Sequence, residues 1–203
     1  MIPKKLHLIW FNEDGTNPLS KENRLALPDF ASKLKYFEVY VWLNGNIMLD
    51  EYNSLSFHDF DFSMFKSNVS KSDAFRLYVV HRFGGVYADW DFDFTKPIDD
   101  LLNCHAFVGR EDETKICNAI FGAEEGSPFI KAQLDRLHEM PKDNRVWGVK
   151  LMTDTVMQNP NFPVTIYPQE YFYPYPWDER DPAKMIPKGN TYLSHRWAKT
   201  WWK

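Results

Sequence analysis

Short β-rich runs alternate with amphipathic stretches from one end of the chain to the other, and few folds satisfy that order. Such a chain buries its apolar surface when the strands lie side by side, mostly parallel, and the helices cover the sheet. Leu6 to Phe11 reads as a first strand, apolar enough to be buried on both faces. Pro18 to Ala26 suggests a helix broken at Pro28. Phe37 to Leu43 reads as a strand ending at the turn Asn44-Gly45-Asn46. Ser72 is the expected N-cap of a helix from Asp73 to Phe83, stopped by Gly84-Gly85, with a strand from Val86 to Asp89 behind it. Further strands are expected at Ala106 to Gly109, Cys117 to Phe121, Val164 to Tyr167 and Thr191 to Ser194. Helices are expected from Phe129 to Met140, behind Ser127-Pro128, and from Gly148 to Met157. The reading is one α/β domain over residues 1–203 with a mixed, mostly parallel sheet.

Composition removes several classes. Lys and Arg number 24 against 28 Asp and Glu, a formal charge of −4, so no basic excess is present to hold a nucleic acid. A hydrophobic fraction of 44% is too high for a disordered chain. No apolar run approaches the ~20 residues of a transmembrane segment, and the apolar stretch before Asn12 is too short for a signal peptide. Cys104 and Cys117 make neither a disulfide framework nor a zinc quartet. They are either thiols in a reducing compartment or one bridge, with the thiols favoured and a cytoplasmic address expected.

Chemistry concentrates in Gly84-Gly85-Val86-Tyr87-Ala88-Asp89-Trp90-Asp91-Phe92-Asp93. On an extended chain Asp89, Asp91 and Asp93 point to one side, about 6.6 Å apart by strand rise. Carboxylates so gathered repel one another unless donors or a hard cation such as Mg²⁺ or Mn²⁺ neutralise them, and such an ion also holds phosphate oxygens. Asp73 and Arg76, at i and i+3 on the preceding helix, form either an ordinary surface ion pair or a pair in which Arg76 meets phosphate and Asp73 a sugar hydroxyl.

Ser72-Asp73-Ala74-Phe75-Arg76, followed by Phe83-Gly84-Gly85-Val86-Tyr87-Ala88-Asp89-Trp90-Asp91, resembles the sugar-binding DXD region of glycosyltransferase family 32. The likeness extends to the opening run Ile2 to Trp10, to Asn118-Ala119-Ile120-Phe121-Gly122-Ala123 with Ser127-Pro128-Phe129, and to His195 with Thr200-Trp201. An isolated Asp-x-Asp carries little; the ordered set carries the resemblance. It implies a GT-A fold, Rossmann-like in its nucleotide-sugar binding, and transfer from a nucleotide-diphospho sugar with retention at the anomeric carbon. It also implies a glycan or lipid-linked glycan acceptor, as in polysaccharide biosynthesis. By position, Trp10 would stack on the base, Asp73 and Asn118 would face the donor sugar, and Arg76 would meet the diphosphate. Tyr87 and Asp89 would contact ribose or sugar. Asp91 would ligate Mn²⁺ or Mg²⁺, with Asp89 and His195 completing the metal set, and Trp201 would close over the donor. Asp89, Asp91 and Arg76 are the expected catalytic groups, and a uridine diphosphate sugar leads the donor candidates. Gly148-Val149 departs from the Gly-Pro that the family often shows there.

Two rival readings remain at this level. Asp91-Phe92-Asp93-Phe94-Thr95 fits the nucleophile loop of haloacid-dehalogenase-type phosphatases, although it lies far from the first strand. A non-catalytic carbohydrate-binding domain would account for the aromatic excess of 8 Trp, 10 Tyr and 16 Phe. Tyr171 to Trp177 is either an acceptor-cleft wall or a Pro-kinked structural loop. Trp197, Trp201 and Trp202, with Arg196, Lys199 and Lys203, suit either a lid over the donor or contact with a membrane surface.

Overall fold

The computed structural model describes residues 1–11, 21–43, 53–56, 60–139, 147–179, 181 and 183–198. Leu6, Leu8 and Ile9 of β1 (Lys5–Trp10) and Val41, Trp42 and Leu43 of β2 (Glu38–Leu43) are all buried, as central parallel strands require. β3 (Asn53–Ser56) pairs with β2 at one edge. The sheet continues through β4 (Gly85–Ala88), β7 (Ile116–Ala123), β6 (Ala106–Arg110) and β8 (Val164–Tyr167), giving the order β3-β2-β1-β4-β7-β6-β8. β7 is antiparallel to both of its neighbours, whereas the other pairings are parallel. β5 (Phe92–Phe94) and β9 (Leu193–His195) form a separate antiparallel ribbon.

Helices cover both faces. α1 (Lys21–Lys33) contributes Leu27 and Phe30 to one core with Leu6, Leu8, Phe92, Leu193 and Phe172 of the short α5 (Gln169–Phe172). On the opposite face α2 (Asn68–Phe83), α3 (Pro128–Asp135) and α4 (Trp147–Gln158) pack Phe75, Val79, Ile130, Leu151 and Met152 against Ile9, Val108 and Phe121. The chain is therefore the expected α/β sandwich, with two apolar cores separated by the sheet.

Local expectations were revised at several points, among them α3, which ends at Asp135 rather than running on toward Met140. α1 runs through Pro28 rather than stopping there, because Leu27 and Phe30 bury one face of the helix and outweigh the backbone bond that proline deletes. α2 begins earlier than expected. Its cap is Ser67, in a reciprocal capping box with Ser70, while Ser72 lies inside the helix with its hydroxyl turned to Arg76. The extended-chain placement of the three aspartates fails as well, because the backbone turns at Trp90-Asp91 before β5 begins. Asp93 is sent to the exposed side of the ribbon, 3.7 Å from Arg196. The turn at Asn44-Gly45-Asn46 lies outside the described residues. Cys104 and Cys117 are free thiols.

The Gly84-Gly85 bend between α2 and β4 is sterically compulsory. Gly84 has φ +61°, and a Cβ there would lie 2.7 Å from Pro3 Cγ and 2.8 Å from the Glu125 amide nitrogen. Gly85 has φ +108°, and its Cβ would meet the Lys5 carbonyl at 2.7 Å. His7 of β1 locks the bend. It is 0% exposed; its Nε2 lies 2.8 Å from the Gly84 carbonyl and its Nδ1 3.2 Å from Trp42 Nε1. Indole N–H can only donate, so Nδ1 accepts and Nε2–H donates to Gly84. Burial holds the imidazole neutral, lowering its pKa to about 4.

Candidate active site

β4 delivers Asp89 to the carboxyl edge of the sheet, where β7 begins its reverse course and the Asp89 N–H donates to the Ala119 carbonyl at 2.8 Å. Ligands of open α/β sheets bind at this edge. Trp90 Nε1–H donates to the Ile9 carbonyl at 2.9 Å and fixes the turn that follows. Pairing of β5 with β9 then sets His195 opposite Phe92, the two rings stacked 4.5 Å apart. His195 Nε2 lies 3.0 Å from Asp91 Oδ1 and 4.0 Å from Asp89 Oδ2. One ligand atom from each of the three residues falls within 4.8 Å of the others. The far side of the cluster is tied down by the chain after His195. The Arg196 N–H donates to the Asp91 carbonyl at 2.9 Å, and the Ala198 N–H to Asp91 Oδ2 at 2.8 Å.

A second group stands beside the first. Arg76 and Asp73 are not a surface pair: their side chains are 6% and 7% exposed, 3.2 Å apart. Arg76 donates to the Asn118 carbonyl at 2.9 Å, to the Ser72 carbonyl at 3.2 Å and to the Ser72 hydroxyl at 3.1 Å. It also lies 3.3 Å from Asp89 Oδ1, with its guanidinium 4.4 Å from the centre of the Tyr87 ring. Asn118 Nδ2 donates to Asp73 Oδ1 at 2.8 Å. Burial opposes the charge on Arg76, but Tyr87, Asp89 and Asp73 outweigh it and raise its pKa. Burial also raises Asp73 and Asp89, with Arg76 pulling each back. Burial works on Asp91 in the same upward sense, yet His195 and the Ala198 amide prevail and bring it down to about 2. Charges held this rigidly need no rearrangement to meet a ligand.

A cavity of about 610 Å³ opens here, lined by Asp73, Arg76, Asn118, Asp89 and His195 among others. Of the residues assigned by resemblance, Trp10, Tyr87 and Asp91 are not among those lining this cavity; Trp10 ends β1, and Tyr87 is buried with its hydroxyl donating to Asp89. Thr200, Trp201, Trp202, Lys199 and Lys203 lie outside the described residues. Asp91 and Asp93 diverge, so the paired carboxylates that a phosphatase loop needs are not assembled.

Sequence reasoning passed over three lining or supporting residues. Gly148 opens α4 against Asp73, which accepts a bond from its N–H, and a Cβ there would lie 2.2 Å from Asn118 Nδ2 and 2.7 Å from Asp73 Oδ2. In the sequence Gly148 marks only a helix start and a departure from the family pattern, with no role at the site. Glu111, after β6, carried no motif. Trp177 stood in an aromatic run of undecided role, and the structure divides that run: Phe172, Tyr173 and Tyr175 are core, whereas Trp177 lines the cavity.

Comparison with known proteins agrees with this geometry. Solved structures with the same architecture include the PaToxG glycosyltransferase (TM-score 0.58, 20% identity, 78% of this chain and 70% of that one). They also include the galactosyltransferase LgtC, crystallised with donor and acceptor sugar analogues (TM-score 0.52, 11% identity, 94% and 86%). The fold is therefore GT-A, the architecture of glycosyltransferases. Residues 18–108 match the family described as glycosyltransferase sugar-binding region containing DXD motif. The likeness to glycosyltransferase family 32 is thus shown, and the Asp89-Trp90-Asp91 motif lies within the matched residues. Inositol phosphoceramide mannosyltransferase 1 of Schizosaccharomyces pombe is 24% identical over 98% of this chain and 62% of its own. The mannosyl phosphorylinositol ceramide synthase SUR1 of Saccharomyces cerevisiae is 27% identical over 83% and 42%. The chain spans less than two thirds of the length of these relatives. Among the described residues no helix is long and apolar enough to cross a membrane.

Proposed function

We propose that the chain is a metal-dependent, retaining glycosyltransferase. It moves a hexose from a nucleotide-diphospho sugar, with uridine diphosphate sugars first among the candidates, to a hydroxyl of a glycan or lipid-linked glycan. The mannosyltransferase names of its relatives add mannose to the donor sugars and an inositol-bearing lipid to the acceptors. The carrying observation is that Asp89 and His195, with Asp91 hydrogen-bonded behind His195, cluster beside the buried Asp73–Arg76–Asn118 group, and that Asp89, His195, Asp73, Arg76 and Asn118 line one cavity.

The residues suit a divalent cation. One ligand atom from each of Asp89, Asp91 and His195 lies within 4.8 Å of the others, so the three could hold a Mg²⁺ or Mn²⁺ ion. A buried imidazole facing two carboxylates, its Nδ1 without a partner among the described residues, is a mixed nitrogen and oxygen donor set suited to Mn²⁺ as well. When bound, such an ion supplies Lewis-acid stabilisation of diphosphate oxygens. The chain's own residues do the rest. Arg76, clamped by Ser72 and Asn118, holds a fixed positive charge beside the departing diphosphate. Asp73 and Asn118 present an acceptor and a donor to sugar hydroxyls, orienting the anomeric carbon. No side chain is assigned as a nucleophile, and attack from the leaving-group face accounts for retention.

Calorimetric titration with a panel of nucleotide-diphospho sugars, with and without Mn²⁺, tests the reading. One donor should bind in a metal-dependent manner, and Arg76→Ala should abolish turnover in a folded protein. Failure of every nucleotide sugar to bind, or full turnover by Arg76→Ala, rejects it.

A further inference from the structure

The donor reading leaves part of the cavity wall without a task. Glu111 and Trp177 belong to that remainder. Glu111 starts the β6–β7 hairpin, its N–H donating to the Lys115 carbonyl at 2.9 Å. Its carboxylate is partly buried, joins none of the ion pairs among the described residues, and takes a bond from the Cys117 thiol. A thiol is a weak donor, so most of the carboxylate's accepting capacity remains for a ligand. Two lysines also line the cavity: Lys115 pairs with Asp112 and attracts the Glu111 carboxylate as well, and Lys150 pairs with Asp154.

Two indoles line the cavity, and they differ in exposure. Trp197 is locked, with its ring 4.1 Å from His195 and 5.5 Å from Tyr173 and its Nε1–H donating to the Tyr175 carbonyl at 3.2 Å. Trp177 is 46% exposed, so its indole is presented to solvent at the cavity. A flat apolar surface and an anionic acceptor that line one cavity suit a ring that has an apolar face and a rim of hydroxyl donors.

The geometry points to Glu111 and Trp177 as the acceptor subsite, and to a six-membered polyol ring as the part of the acceptor it holds. One face of the ring lies on the Trp177 indole while a ring hydroxyl donates to the Glu111 carboxylate. The inference rests on the transferase reading and adds the chemistry of the receiving molecule. A pyranose and an inositol share this chemistry. A site built around such a hydroxyl discriminates strongly against a ring that lacks it.

The test titrates the whole chain with methyl α-mannopyranoside, myo-inositol and the open-chain polyol sorbitol, followed by tryptophan fluorescence. A parallel calorimetric titration uses the nucleotide sugar. The cyclic polyols should bind and sorbitol should not; the tighter of the two rings identifies the source. Trp177→Ala and Glu111→Gln should each weaken ring binding at least tenfold and leave nucleotide-sugar affinity within twofold of wild type, while Trp177→Phe restores ring binding. Equal binding of sorbitol and the rings, absence of ring binding, or wild-type ring affinity in Trp177→Ala or Glu111→Gln overturns the assignment. Loss of nucleotide-sugar binding by the wild type defeats the transferase reading instead, because the ring titration is read separately.

Discussion

Acid should destabilise this protein through His7, and the structure sets the size of the effect. The imidazole is fully buried with both nitrogens committed, Nδ1 accepting from Trp42 and Nε2–H donating to Gly84. A second proton would aim an N–H at the Trp42 N–H, in a place closed to bulk solvent. The native pKa of about 4 lies below the model-compound 6.5, so the unfolded chain takes the proton first as pH falls. Stability is then complete above pH 6.5 and declines between 6.5 and 4, below which both states are protonated. Integration over that window gives a loss of about 2 kcal/mol at pH 5 relative to pH 7.5. Urea denaturation at a series of pH values measures this directly, with His7→Gln as the reference that removes the titrating group but not the five other histidines. The wild type should lose about 2 kcal/mol more than the variant over the interval. Parallel curves would show that His7 takes up its proton in the fold as readily as in water, and the neutral buried ring would have to be abandoned.

Gly148→Ala should lower donor affinity about ten- to a hundredfold while the fold persists. The new methyl displaces Asn118 from Asp73, a hydrogen bond to a charged group worth about 1.5–3 kcal/mol; unchanged calorimetric affinity would refute this. Mn²⁺ at a hundredfold excess over its dissociation constant should stabilise the wild type by about 2.7 kcal/mol, and chelation should reverse the shift. Asp91→Ala should show no such shift in melting temperature, and an equal rise in the variant would remove Asp91 from the metal set. Gly84→Ala should cost at least about 1–2 kcal/mol in urea denaturation, since an L-residue at φ +61° is strained even before its Cβ meets Pro3 and the Glu125 amide. A stability equal to wild type would deny the bend its steric role.

The alternation of strands and helices was readable because parallel central strands are apolar on both faces and helices carry one apolar stripe. Leu6, Leu8 and Ile9 show the first, and Phe75, Val79 and Val80 the second. The Gly-Gly stop was equally plain. Helix ends were less so, because Ser67 and Ser72 are alike as caps and only the Ser67–Ser70 pair closes a capping box. Much of the site followed from the resemblance, since spacing alone misplaced it. A regular strand through Asp89, Asp91 and Asp93 would have aligned all three, whereas the turn at Trp90-Asp91 directs Asp91 to His195 and Asp93 away. Nothing local in the sequence announces that turn, which depends on Trp90 reaching the Ile9 carbonyl. Glu111 and Trp177 were hidden because no motif surrounds either, and only the fold brings both to the cavity.

The β5–β9 ribbon joins residues more than a hundred positions apart, from Asp91 to His195. During synthesis both aspartates leave the ribosome long before the imidazole that completes their cluster. A nascent chain that has reached only α4 can shape the sheet edge but cannot assemble the trio. Whatever activity depends on that trio is thus withheld from fragments and begins only when β9 has closed the ribbon.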